Sequence, residues 1–128
     1  MKTSTEHITT THVEDLQVKS DITFYKEELF YLRKRLNEVS SKNTAKDVKM
    51  LVSHFENQFI IQREVLDELE HDVQRREDRI AMEVRQNPVA FEHKTLPQYT
   101  DLKGQMEMFR KLYAEMKKEF NRFLSENM

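Results

Sequence analysis

The chain is predicted to be all-α, an elongated antiparallel three-helix bundle with coiled-coil-like heptad packing. Three observations predict it. Apolar residues recur at alternating intervals of three and four over long stretches, the spacing of a single buried stripe on a helix. One glycine and two prolines punctuate 128 residues, too few for the turns that sheet proteins need about every 8–12 positions. Hydrophobic residues make up 38% and charged residues 34%. Such a lean core suits helices that each bury one face, where a compact globule of this length carries more apolar residues.

The length is that of one domain. Residues 1–10 are polar and Thr-rich and read as a flexible lead-in, followed by a single helical domain over 11–128. The first helix is expected over about 11–39. Its seam runs Val18, Ile22, Tyr25, Leu29, Leu32, Leu36 and Val39, and a strand would instead alternate at period two. Ser40-Ser41-Lys42-Asn43 is a short polar break that suits an antiparallel hairpin. Thr44 and Asp47 resemble a capping pair for the second helix.

That second helix is expected over about 45–86, ending at Asn87-Pro88. Its seam is Val48, Val52, Phe55, Phe59, Gln62, Leu66, Leu69, Val73, Arg76, Ile80 and Glu83. Arg76 and Glu83 are expected on the exposed side, with burial weakening toward the helix end. Gln62 lies either inside the bundle, where an amide sets register, or at its rim. A connection at 88–97 carries Val89, Phe91 and Leu96. The third helix, about 98–126, has the seam Tyr99, Leu102, Met106, Phe109, Tyr113, Met116, Phe120 and Phe123. Gly104 falls on its outer face, where it costs about 1 kcal/mol relative to alanine.

Several function classes find no support. The net charge is −2 with both signs interspersed, so there is no basic block for phosphates and no nucleic-acid role is expected. No apolar run approaches the ~18 residues needed to span a bilayer, and MKTSTEHITT lacks the apolar core of a signal peptide. With no cysteine, a cytoplasmic location is the expectation. A nucleophile elbow, a Gly-rich phosphate loop and a zincin motif are all missing, so no enzyme activity and no cofactor are expected.

Glu68 and His71 have the Glu-x-x-His spacing of di-iron bundle proteins. Only one copy is present, and both residues fall outside the seam, as does His54. His7 and His12 lie in or near the flexible start, and His93 lies in the connection. No metal ligands are therefore assigned. Met106, Met108 and Met116 on the third helix read as core filler, Met106 and Met116 being on the seam, with an adaptable Met-rich binding surface as the alternative.

The informative residues are apolar side chains left over once the seams are filled. Phe24, Phe30 and Tyr31 on the first helix and Ile60 and Ile61 on the second fall at b and c positions, which solvent should reach. Large exposed aromatic patches are rare on monomers, so these residues are expected to meet another copy of the chain, or else a fourth element, the 88–97 connection or the N-terminal tail. These five residues are the candidate interaction surface of a non-catalytic interaction or structural module that binds a protein partner, with self-association into a homo-oligomer expected. The alternatives are a metal-binding bundle with a carboxylate/His site and a bundle that holds an apolar ligand between its helices.

Overall fold

The computed structural model describes residues 4–86 and 101–128, which form three helices: α1 (Ser4–Lys42), α2 (Lys46–Gln86) and α3 (Leu102–Asn127). At 1.5 Å rise per residue these are about 58, 62 and 39 Å long. The chain is an all-α three-helix bundle. α2 runs unbroken through its 41 residues. The connection expected at 88–97 lies outside the described residues.

Cross-helix pairs set the topology. Lys26 bridges Asp67 and Glu70, Lys19 donates to Gln74, and Asp15 meets Arg76, so α1 and α2 are antiparallel. Asp21 pairs with Arg110, Glu28 with Lys117, and Asn43 reaches Asn127, so α1 and α3 are parallel. Phe55 and Phe59 of α2 meet Phe120 of α3, closing an up-down-up arrangement. The packing of α1 on α2 is the most extensive and that of α1 on α3 the least. Extended along α3, the α1 pairings bring its first turn about level with Asp15, so α1 and α2 both reach beyond it.

The seams are the core. Ile22, Leu29, Leu32, Leu36 and Val39 of α1 are buried. They pack with Val52 through Val73 of α2 and Leu102 through Phe123 of α3, while Val18, Tyr25 and Val48 line the margin. Gln62 lies inside, at 6% exposure. Two expectations for α2 need correction. Arg76 is buried, 7% exposed, and burial continues through Ile80. Glu83 is half-buried and held by Arg79 at 3.1 Å. Burial therefore persists past Arg76 to Ile80, because α1 supplies Asp15 as a buried partner at that level, and fades only over the last six residues of α2.

The helix ends also differ in detail from the sequence reading. α1 starts at Ser4, ahead of the expected Thr11. Its seam continues upstream of Val18 at the same spacing, through buried Asp15 and Thr11. At the other end the helix runs through Ser40 and Ser41, leaving only Asn43–Ala45 as the turn. The Ser41 hydroxyl donates to the Glu38 carbonyl at 3.0 Å, a local bond tolerated in a last turn. Asn43 Nδ2 donates to the Val39 carbonyl at 2.8 Å, satisfying an acceptor the helix end leaves open. Lys49 N–H donates to the Ala45 carbonyl, so Ala45 rather than Thr44 holds the N-cap position. Asp47 stays in the first turn, where the helix dipole favours an acid.

Candidate interaction surface

All five sequence-predicted surface residues are exposed: Phe24 at 56%, Phe30 at 63%, Tyr31 at 59%, Ile60 at 50% and Ile61 at 49%. The bundle does not bring them into one patch. Charged residues flanking the α1 seam show which neighbour each side faces. Lys19 and Lys26 reach α2, whereas Asp21 and Glu28 reach α3. Phe30 lies on the α2 side, and Phe24 and Tyr31 on the α3 side. On α2, Ile60 and Ile61 split in the same way.

Phe30 and Ile60 flank a shallow groove between α1 and α2, floored by Leu29 and Phe59 and rimmed by Arg33, Arg63, Glu56 and Glu64. Lys34 Nζ stands 4.7 Å from the Phe30 ring centroid, a cation–π contact that shields one face of the ring. Ile61 instead lines a groove between α2 and α3, beside Val65, Met108 and Leu112. Met108 and Leu112 are 58% and 46% exposed, while Met106 and Met116 are buried. The sequence reading weighed Met108 chiefly as core filler and missed Leu112 as a surface group. The signal was their position off the α3 seam. Phe24 packs its edge on Tyr25, with centroids 5.5 Å apart, and Tyr25 in turn meets Phe109 and Tyr113 of α3 at 4.9 and 4.8 Å.

Three polar groups at the α1 contacts are tied up in pairs: Tyr113, Lys26 and Asp67. Tyr113 donates its hydroxyl to Glu28 at 2.6 Å, and Lys117 approaches the other oxygen of Glu28 at 3.0 Å. Burial, then the Glu28 carboxylate, pushes the Tyr113 hydroxyl far above the ordinary tyrosine range, so it stays a neutral donor. Burial pulls Lys26 down, but hydrogen bonds and charge attraction from Asp67 and Glu70 outweigh it and hold the ammonium raised. The Lys26 hydrogen bond lowers Asp67 against a smaller effect of burial, helped by the charges of Lys26 and Arg63.

Among the described residues, the one buried ion pair is of another kind. Asp15 is fully buried. Arg76 grips its carboxylate in a fork, Nε lying 3.1 and 3.2 Å from the two oxygens with Nη2 closing on Oδ1. His12 Nδ1 lies 2.5 Å from Glu77 one turn away. A slip of α1 along α2 by one heptad would set Arg76 against Ile22 and Asp15 against Glu83. Leaving one member of a buried pair without its partner costs about 3–5 kcal/mol, so the pair penalises that wrong register.

Glu68, His71 and His54 are exposed. Among the described residues, no three His, Asp or Glu come together as a metal site, and no helix is long and apolar enough to cross a membrane. Comparison with protein-family models, with curated proteins and with solved structures returns no match.

Proposed function

We propose that this chain is a non-catalytic interaction or structural module of the cytoplasm, acting through protein–protein contacts and associating with copies of itself. The observation that carries the reading is the groove flanked by Phe30 and Ile60, both at least half exposed beside a core that is already filled. Covering the exposed half of such side chains is worth about half of the ~1.5–3 kcal/mol of a full burial. The rim has two residues of each sign, Arg33 and Arg63 against Glu56 and Glu64. It therefore carries no net charge to repel a second copy. The absence of cysteine and of long apolar runs supports the cytoplasmic part of the reading.

Sedimentation velocity tests it. The chain is expected to sediment above monomer mass at high micromolar concentration. The double variant Phe30→Ser, Ile60→Ser should return it to monomer with its helical circular dichroism intact. A wild-type chain that stays strictly monomeric at that concentration overturns self-association.

A further inference from the structure

The α2–α3 groove differs from the α1–α2 groove in its charge. Its apolar strip consists of Ile61 and Val65 on α2 and Met108 and Leu112 on α3, and the charged residues lining it are Glu68 and Asp72. Among the described residues, no basic residue lines it. Glu115 and Glu119 follow Leu112 by three and seven positions and are exposed, so they continue the same face of α3. Lys111 and Lys118 take the outermost positions of α3, and Arg75 and Arg122 come a turn beyond the strip at either end. The ion pairs among the described residues draw on other carboxylates. The four acids therefore face solvent without a cationic partner there.

We propose that this groove is a docking site for a basic amphipathic helix of a partner protein. The apolar strip supplies contact area, and Met108 adds a side chain that adapts to different shapes. The acidic rim selects lysine and arginine flanks. A second copy of the chain does not suit the same groove, since a face-to-face pair would set the acids of one rim against those of the other. From Ile61 to Asp72 the strip runs about 17 Å along α2, the length of about three helical turns. A partner helix with apolar residues at i, i+3 or i+4, and i+7 matches that length. The proposal is independent of self-association, which uses the opposite side of α2.

The test is fluorescence anisotropy of the full chain with a labelled synthetic peptide of about five helical turns, with leucines at i, i+3, i+4 and i+7 and lysines elsewhere. The control peptide has every lysine replaced by glutamate. The lysine peptide should bind saturably at one per chain and weaken steeply with salt, and the glutamate peptide should not bind. The double variant Ile61→Ser, Leu112→Ser changes only half-exposed side chains and should weaken binding at least about tenfold, with circular dichroism unchanged. Glu68→Gln with Asp72→Gln should flatten the salt dependence, and Phe30→Ser with Ile60→Ser should leave binding unaltered. Three results would overturn the proposal: no saturable binding of the lysine peptide, equal binding of the two peptides, or wild-type affinity in the Ile61, Leu112 variant. A dimer that this last variant dissociates would assign the groove to a second copy instead.

Discussion

The two ends of the bundle are held by opposite kinds of chemistry. At the turn end, Phe55, Phe59, Phe120 and Phe123 form an apolar cluster, with Phe59 edge-on to Phe120 at 5.1 Å and Phe55 against Phe123 at 5.1 Å. Aromatic pairs of this kind add about 0.5–1.5 kcal/mol beyond their area, and the cluster serves stability. At the far end, Asp15 and Arg76 occupy seam positions that leucine could fill, and a buried ion pair is weak evidence for stability. Its value lies in what it forbids: it binds one register of α1 on α2 and penalises the next. One end contributes the strength of the fold, and the other its uniqueness.

Mutations can break or sharpen that contrast. Phe120→Ala should destabilise by about 3–5 kcal/mol, seen as a lower urea midpoint at unchanged slope, with no single second-site change restoring it. Asp15→Ala should cost a similar amount by stranding Arg76. The double variant Asp15→Leu, Arg76→Leu should regain wild-type stability or exceed it by about 1–4 kcal/mol. If the double variant is as weak as the single one, the ion pair is a stabiliser and the contrast fails. Between the two ends, Tyr113→Phe should cost about 1–3 kcal/mol by removing the donor to the Glu28 carboxylate.

Lys26→Met should cost about 1 kcal/mol or less, because Asp67 and Glu70 are half exposed. Its pH dependence is more telling. Asp67 is held low, so its contribution is present above about pH 3.9 and is lost as pH falls through the lowered value. Lys26 is held high, so its contribution is present below about pH 10.4 and is lost as pH rises through the raised value. The melting-temperature gap between wild type and variant should be widest between these limits and close at both extremes. The smallest effect belongs to Gly104→Ala. The added Cβ would meet Asp101 Oδ1 at 2.5 Å, but that side chain can swing aside. The helix-propensity gain of about 1 kcal/mol should survive in part as a higher melting temperature.

The helices and their buried stripes were legible because a 3-4 alternation has one structural meaning. Gln62 showed the limit of that reading: an amide on a seam is compatible with core or rim, and only its neighbours decide. Arg76 shows why the polar layer was misread. Taken alone, an arginine near a helix end reads as exposed, and its partner lies 61 residues away on another helix. The sign was present, since continuing the α1 spacing upstream of Val18 lands on Asp15. Recognising it requires pairing two antiparallel seams layer by layer. The exposure of Phe24, Phe30, Tyr31, Ile60 and Ile61 followed from their heptad positions. Their division among separate grooves did not, because it depends on which neighbour lies to the left or right of each helix. Heptad spacing carries no such information.

The three-residue turn at Asn43–Ala45 also has a consequence in time. It joins the adjoining ends of α1 and α2 through a short loop, whose closure costs less entropy than a long one, whereas α1 contacts with α3 join residues 84 to 89 apart. Local contacts form early in folding and distant ones late. The hairpin should therefore zip outward from the turn, with Asp15 reaching Arg76 among its last steps. Interactions absent from the transition state govern unfolding rather than folding rates. Asp15→Ala should accordingly leave the refolding rate near wild type and accelerate unfolding. The buried pair then acts as a latch on a fold already assembled, and its removal shortens the lifetime of the native state.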